Sequence, residues 1–200
     1  MKTKALIKDQ SRLLFNRHGV MNITLRDVAK ENKKSYGNVT YHYPTKEDVI
    51  MELHQDMNAE LTALQKPTSQ EDLLVYFLTL PSISYAITLK YLFFSIDFIE
   101  IKRNFQKVYA EAMKAAETRK ESWLQLLNKL NEQGHFKEEM SDEDLHYIMY
   151  LSGSARTAYF QMYPSDVYNE KAYCQMVNRL LKPYLSDGGM KVYDGVMATF

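Results

Sequence analysis

Near the N-terminus of this 200-residue chain, three residues of the kind that begins a helix occur within one short segment. Thr24 precedes Asp27 by three positions, and Thr45 precedes Asp48 in the same way. This is the spacing of a capping box, in which a hydroxyl and an acidic side chain satisfy free backbone N–H groups. Ser35 lies between the two boxes as a third N-cap. The segment is therefore predicted to form two short helices joined by a tight turn, a helix-turn-helix unit, followed by a longer helix.

Helical periodicity extends on both sides of this segment. A first helix is predicted over about Thr3–His18, and a glycine ends it. The helix that Thr45 begins is predicted to continue to Pro67 and Ser69, where it ends and another begins. Gly and Pro are sparse, at 7 and 5 residues, which favours helices over many short strands.

The remainder of the chain is also predicted to be helical. One helix, or a pair broken at Pro81, precedes a long helix that ends near Gly134. Ser141 caps the next helix, Pro164 breaks it, and a last helix is predicted over about 167–185. The course of the chain after Gly189 stays open.

The predicted fold class is all-α, with two domains. Residues 1–47 are predicted to form a three-helix helix-turn-helix DNA-binding domain. Residues 48–200 are predicted to form a ligand-binding and dimerisation bundle of about five to six helices.

A net charge of zero conceals an uneven distribution. Residues 1–46 contain ten lysines and arginines and three acidic residues, which gives +7, so the rest of the chain carries −7. A basic N-terminal part on an acidic body predicts a polyanion-binding end.

The helix that follows Ser35 has an apolar side and a polar side. Val39 and Tyr43, four residues apart, are predicted to face the preceding helix. Such a second helix lies in the major groove, so its outward side chains should be short or hydrogen-bonding. Asparagine can read adenine, threonine can contact a base edge or the thymine methyl, and glycine allows close backbone approach. The residues predicted to face outward are Tyr36, Gly37, Asn38 and Thr40.

Flanking residues are predicted to contact DNA phosphates. Thr24 and Lys46 lie at helix N-termini, where backbone N–H groups and the helix dipole attract anions. Tyr41 and His42 carry donors suited to phosphate oxygens, and such contacts fix register more than sequence. The predicted DNA-binding residues are Thr24, Ser35, Tyr36, Gly37, Asn38, Thr40, Tyr41, His42 and Lys46.

This segment resembles the DNA-binding domain of the TetR family of transcriptional regulators. The matching features are a threonine opening the second helix, an alanine within it, a serine-capped recognition helix, an apolar-then-aromatic run and a lysine opening the fourth helix. They correspond to Thr24, Val28–Ala29, Ser35, Val39, Tyr41–His42–Tyr43 and Pro44–Thr45–Lys46–Glu47–Asp48. The resemblance covers about the first quarter of the chain in detail, and beyond it the length and the helical layout match.

The segment departs from the family pattern at two places. Asn32–Lys33–Lys34 stands where the family has a turn glycine. Because asparagine tolerates left-handed geometry, we expect the turn to be shifted or to be held by Asn32. Thr40 stands where the family has a tyrosine, and Tyr41 is the candidate to replace its contact.

The resemblance implies a homodimer whose last two long helices form a four-helix interface. Small residues before the last helix, and an apolar face on that helix, are compatible with close packing. The candidate interface residues are Leu151, Ala155, Met176, Leu180 and Tyr184. The resemblance also implies a repressor that a small molecule releases from a palindromic operator by moving the fourth helix.

Aromatic residues in the body are candidates for an effector pocket, because pockets are mostly apolar with a few polar groups. A small apolar or aromatic effector is therefore expected. For each of these aromatic residues, burial in an ordinary hydrophobic core is the alternative interpretation. The candidates are Tyr91, Phe94, Phe98, Tyr109, Trp123, Tyr150 and Tyr159.

Other functions are less well supported by the sequence. The five histidines form no metal-binding pair, and no phosphate loop or nucleophile elbow is present, so no catalytic residue, metal or cofactor is predicted. The apolar stretch 83–101 is interrupted by Lys90 and Asp97, so no membrane span is expected. The single cysteine, Cys174, fits a small buried side chain in a reducing cytoplasm. A DNA-binding regulator without a small-molecule effector remains the main alternative.

Overall fold

The chain folds into α-helices, as the capping pattern predicts. The computed structural model describes residues 3–64, 73–137 and 140–200, and these residues form no named strand. The all-α class is therefore confirmed. The predicted break at Pro67 and Ser69 lies outside the described residues. The described helices are α1 (Thr3–His18), α2 (Leu25–Glu31), α3 (Tyr36–His42), α4 (Lys46–Thr62), α5 (Leu73–Lys90), α6 (Phe93–Ile96), α7 (Phe98–Asn104), α8 (Gln106–Glu132), α9 (Asp142–Met162), α10 (Glu170–Arg179) and α11 (Asp187–Met197).

Local signals at the N-terminus act as the sequence predicts. Both capping boxes form, with the Thr24 side chain accepting from the Asp27 N–H and the Thr45 side chain accepting from the Asp48 N–H. Gly19 ends α1 with a φ of +81°, a conformation that glycine adopts without steric cost. The bounds predicted for α1 are confirmed.

The turn between α2 and α3 contains no glycine, and its left-handed residue is not Asn32. Asn32 keeps a right-handed conformation, and its Nδ2 donates to the Val28 carbonyl at 2.8 Å. The left-handed conformation falls instead on Lys33, with a φ of 52°. A residue with a Cβ pays about 1–2 kcal/mol for this conformation.

The helices separate into two compact units. Unit 1 comprises Met1–Ala63 and Ile87–Ala115, and unit 2 comprises Leu64–Ala86 and Ala116–Phe200. The compact unit that holds the helix-turn-helix thus extends past the predicted boundary at residue 47. Its core consists of apolar residues from α1 to α4 together with residues from the 91–108 stretch.

The apolar stretch around Pro81 is one helix, not a broken pair. Pro81 lies inside α5 and is buried. In the turn before it, the Leu78 carbonyl accepts a buried hydrogen bond of 2.7 Å from Asn178 Nδ2. By length and composition α5 could cross a membrane. Core helices of soluble proteins have the same properties, and the buried residues of its first two turns belong to the core of unit 2. They are Leu73, Leu74, Phe77 and Leu78.

The predicted last helix over 167–185 is wrong. The structure has α10, capped by Asn169, and then α11, capped by Ser186, in the tail that the sequence left open. Gly189 lies inside the first turn of α11, where an added Cβ would stand 2.3 Å from the His135 carbonyl oxygen. The glycine therefore permits close approach of two backbones and does not end a helix.

Candidate nucleic-acid interface

The recognition helix α3 is held by its cap and by two buried side chains. Ser35 Oγ accepts from the Asn38 N–H at 3.1 Å. Val39 and Tyr43 are buried in the core of unit 1, as predicted. Helices α1 and α2 pack against α3, so its opposite side is left to solvent.

The outward side of α3 carries the residues that the sequence predicts. Tyr36, Gly37, Asn38 and Tyr41 are exposed, and Tyr41 is 82% exposed. The Asn38 side-chain amide makes no hydrogen bond with any residue that the structure describes. Both its donor and its acceptor are therefore available to the edge of a base.

Thr40 presents its methyl group more readily than its hydroxyl. Thr40 Oγ1 donates to the backbone carbonyls of Tyr36 at 3.1 Å and Gly37 at 3.3 Å. Its hydroxyl is thus bonded to its own helix. Next to it, the rings of Tyr41 and His42 meet edge to face at 5.1 Å, and His42 is half-buried.

The hydroxyl of Thr24 is engaged in its cap. Thr24 Oγ1 donates to Asp27 Oδ2 at 2.6 Å, and the hydrogen bonds from Thr24 lower the pKa of the exposed Asp27 carboxyl. Ser35 Oγ, by contrast, is only an acceptor among the described contacts, so its hydroxyl hydrogen is available to a phosphate oxygen.

Lys46 has a contact within the protein that the sequence did not predict. Its Nζ donates to the backbone carbonyls of Val20 at 2.8 Å and Ile23 at 2.9 Å, and it lies 5.4 Å from the centroid of the Phe105 ring. Burial lowers the pKa of Lys46 from its ordinary value. The ammonium thus ties the start of α4 to the connection between α1 and α2.

The basic residues of the N-terminal part divide into two groups. Lys4, Lys8 and Arg12 form ion pairs with acidic residues of unit 1. A second group is exposed and forms no ion pair with the described residues. It consists of Arg17, Arg26, Lys30, Lys33 and Lys34.

Arg26 is a candidate contact that the sequence analysis missed. It lies in the first turn of α2, and its guanidinium is 4.8 Å from the centroid of the exposed Tyr36 ring. The stacking places a cation at the N-terminal end of α3. Its outward position between buried Leu25 and buried Val28 was readable from the helical period.

Residues 87–108, which we call the clamp, form hydrogen bonds with α1 and with the α1–α2 connection. The Asn16 side chain donates to the Lys90 carbonyl at 2.9 Å and accepts from the Phe93 N–H at 3.1 Å. Asp97 Oδ2 accepts from the Val20 N–H at 2.7 Å. Burial raises the pKa of Asp97, although the Val20 hydrogen bond opposes this shift.

The candidate effector residues do not form one group. Four lie in unit 1: Tyr91, Phe94, Phe98 and Tyr109. Tyr91 donates to Glu60 at 2.7 Å. The other three lie in unit 2, where Tyr150 is 59% exposed, Tyr159 is buried and Trp123 packs on Phe77 with ring centroids 5.3 Å apart.

The candidate dimer residues lie in unit 2 and all are partly buried. Leu151 and Ala155 are on α9, Met176 is on α10, and Leu180 and Tyr184 follow α10. Tyr184 packs against the core of the unit. The penultimate helix of the prediction is α9, with 21 residues, whereas the predicted last helix is shortened to α10, with 10 residues. The four-helix interface stays a prediction.

Cys174 is buried, as predicted, and burial raises the pKa of its thiol to about 11. Among the described residues, no group of three or more His, Cys, Asp or Glu side chains is arranged to hold a metal ion.

The described residues are all-α. The second helix of the helix-turn-helix, α3, is capped at its N-terminus and has one side exposed to solvent. These features define a protein of the helix-turn-helix class. A family model described as "TetR: Bacterial transcriptional repressor" matches residues 52–193. The chain therefore belongs to the TetR family of transcriptional regulators. The match lies mainly in the body, whereas the sequence resemblance lay in the N-terminal segment.

Several solved structures have the same fold. A TetR-family transcriptional regulator from Marinobacter aquaeolei is 20% identical, with 98% of each chain covered and a TM-score of 0.79. The ketosteroid transcriptional regulator of Mycobacterium tuberculosis is 13% identical, with 92% of this chain and 95% of that chain covered and a TM-score of 0.71. A transcriptional regulator from Saccharomonospora viridis in complex with choline is 17% identical, with 92% and 98% covered and a TM-score of 0.63. No curated protein matches the sequence.

Proposed function

We propose that this regulator is a cytoplasmic homodimeric repressor that binds a palindromic operator through α3 and leaves it when a small molecule binds the body. The observation that carries the DNA-binding part is the solvent-facing side of α3, flanked by exposed cations that have no ion pair among the described residues. In this proposal Asn38 reads a base, and the Thr40 methyl contacts a thymine. Arg26, Lys33 and Lys34 supply phosphate contacts.

The predicted phosphate-contacting residues take different parts in the proposal. Ser35, Tyr41 and His42 contact the DNA backbone at the two ends of α3, and Gly37 allows its close approach. Thr24 fixes α2 through its cap, and Lys46 fixes the start of α4 through its carbonyl contacts. Both residues thereby position the recognition helix.

Dimerisation is proposed because a palindromic site needs two recognition helices related by a two-fold axis. Unit 2 exposes large apolar side chains on and after α9, including Tyr147, Tyr150 and Met162 at 56%, 59% and 74% exposure. Together with the predicted Leu151 and Ala155, they give the partner an apolar surface on α9. Sedimentation velocity on wild type and on a Tyr150→Glu variant tests this surface.

Ligand response is proposed through the clamp. Helices α5 and α8 each begin in one unit and end in the other. Within unit 1 the clamp holds α1 through Asn16 and the start of the α1–α2 connection through Asp97. A ligand changes DNA affinity only by its different affinity for the two states of the protein.

Selection of bound duplexes from a random DNA pool tests the central proposal. A palindromic consensus is expected, with half-sites one or more DNA turns apart, about 34–36 Å per turn. Failure to bind any duplex at low salt contradicts the proposal. If operator binding is found but no small molecule releases it, a regulator without an effector is the better description.

A further inference from the structure

Unit 2 contains a half-buried arginine, Arg156, whose charged end is enclosed and forms no ion pair with any residue that the structure describes. Arg156 lies on α9, and its Nε is shielded from solvent without a hydrogen-bond partner. None of the ion pairs among the described residues includes Arg156. A buried charge is normally paired, because removing it from water is costly.

The neighbours of this guanidinium are neutral. Arg156 Nη1 donates to Ser84 Oγ at 3.4 Å, a long hydrogen bond, and the guanidinium carbon lies 4.9 Å from the Trp123 ring centroid. The Tyr173 side chain also acts on the charge of Arg156. Burial lowers the pKa of Arg156, while the interactions with Tyr173 raise it. An arginine stays protonated in proteins even so.

The acidic residue Glu170, on α10, is engaged with other groups. Glu170 acts electrostatically on Tyr85 and Cys174. Its carboxylate accepts a hydrogen bond from the Ser82 hydroxyl and forms no ion pair with Arg156. The positive charge of Arg156 is thus not compensated within the described chain.

Arg156 is not covered completely by the rest of the protein. Although its charged end is enclosed by protein, Arg156 retains part of its accessible surface, and so do Ser84 and Trp123 beside it. Tyr85 and Tyr173 form the adjoining wall, with ring centroids 5.3 Å apart. A charged group, two hydroxyl groups and aromatic walls are the elements of a small-molecule site.

We propose that Arg156 anchors the effector of this regulator and that the effector is an organic anion, a carboxylate on an apolar or aromatic body. The planar guanidinium binds a carboxylate through two parallel hydrogen bonds. The aromatic walls take the apolar part. The inference rests on the proposed ligand response, and it narrows the expected apolar effector to a negatively charged one.

The single tryptophan provides a direct assay. Trp123 is the only tryptophan of the chain, and it lies beside Arg156. The full-length protein is titrated with straight-chain carboxylates from butanoate to dodecanoate and with benzoate and phenylacetate, each compared with its neutral amide. At least one carboxylate should change Trp123 fluorescence saturably and bind at least about tenfold more tightly than its amide. Phenyl phosphate tests whether a phosphate monoester is preferred.

Two variants provide the matched comparison. Arg156→Met keeps the length of the side chain and should abolish the preference for carboxylate over amide. Because it removes an uncompensated buried charge, it should melt at the same temperature as wild type or higher. Arg179→Met removes an exposed arginine from α10 of the same unit and should retain the preference.

The outcomes separate this inference from the proposed function. If every carboxylate binds no better than its amide in wild-type protein, or if a folded Arg156→Met variant retains the preference, the anion site is refuted. A preference for phenyl phosphate over all carboxylates refutes the carboxylate assignment. DNA release is measured separately by fluorescence anisotropy. Carboxylate binding without DNA release contradicts only the ligand response, whereas release by neutral compounds alone contradicts only the anion site.

Discussion

Replacement of Lys46 tests whether this residue supports the fold or contacts phosphate. In Lys46→Met the apolar stem remains, but the Val20 and Ile23 carbonyls lose donors at 2.8 and 2.9 Å. A hydrogen bond to a charged group contributes about 1.5–3 kcal/mol. Removing the desolvation cost of the half-buried ammonium offsets part of this loss. We therefore expect the free energy of unfolding to fall by about 2–4 kcal/mol.

Two measurements decide between the two roles of Lys46. Urea denaturation gives the free energy of unfolding, and fluorescence anisotropy at several salt concentrations gives the salt dependence of DNA affinity. For Lys46→Met we expect the slope of log K against log salt to stay as in wild type. In the control Lys34→Met, which removes an exposed cation, the slope should flatten by about one and stability should stay within about 0.5 kcal/mol. If Lys46→Met flattens the slope and leaves stability unchanged, our interpretation of Lys46 is wrong.

Three other predictions follow from contacts in unit 1. Lys33→Gly should raise the free energy of unfolding by about 0.5–1.5 kcal/mol, because glycine adopts the φ of 52° at this turn without steric cost. Asn38→Ala should leave stability unchanged but weaken binding to the selected operator by about 1–3 kcal/mol, with random DNA unaffected. Glu52→Gln should destabilise the protein at neutral pH and lose this effect as the pH falls below 4.5, the ordinary pKa of the group. Although burial raises the pKa of Glu52, hydrogen bonds from Lys4 and Lys8 bring it below that value. The ionised form therefore stabilises the folded state above this range, and protonation removes the stabilisation.

Each of these predictions has a clear opposite outcome. A less stable Lys33→Gly variant means that the lysine side chain contributes more than its backbone conformation costs. Equal losses on operator and random DNA for Asn38→Ala mean that Asn38 does not read sequence. A thermal melting difference between wild type and Glu52→Gln that is constant from pH 7 to pH 3 excludes the ion pairs with Lys4 and Lys8 as its cause.

The helix-turn-helix was predictable because its determinants are local. Each cap acts within three residues, so Thr24, Ser35 and Thr45 fix the starts of α2, α3 and α4 without reference to the rest of the chain. The exposure of Asn38 and the burial of Val39 then follow from the helical period.

Contacts between distant segments were not predictable. The Lys46 ammonium binds carbonyls more than twenty residues earlier in the chain, and no periodic pattern encodes such a partner. The same holds for Asp97 and the Val20 N–H, and for Arg156 and Trp123. Which cations are exposed without an ion pair among the described residues therefore depends on contacts that the local sequence does not encode.

The prediction of one helix over about 167–185 was wrong for a reason that lies in the sequence pattern. Apolar residues at helical spacing continue through the gap between α10 and α11, so periodicity alone joined two elements. Asn169 and Ser186 each cap a helix, and both are residue types favoured at N-caps. Greater weight on these caps would have placed the break correctly.

The two neighbouring glycines of α11 differ in how freely they can be replaced during evolution. At Gly188 the nearest atom to an added Cβ is the Ser186 hydroxyl oxygen at 3.8 Å, whereas at Gly189 it is the His135 carbonyl at 2.3 Å. Alanine therefore fits at the first position, but at the second it would force α11 away from the end of α8. Among related sequences we therefore expect other residues at position 188, and a change at 189 only together with a compensating shift in the backbone around His135.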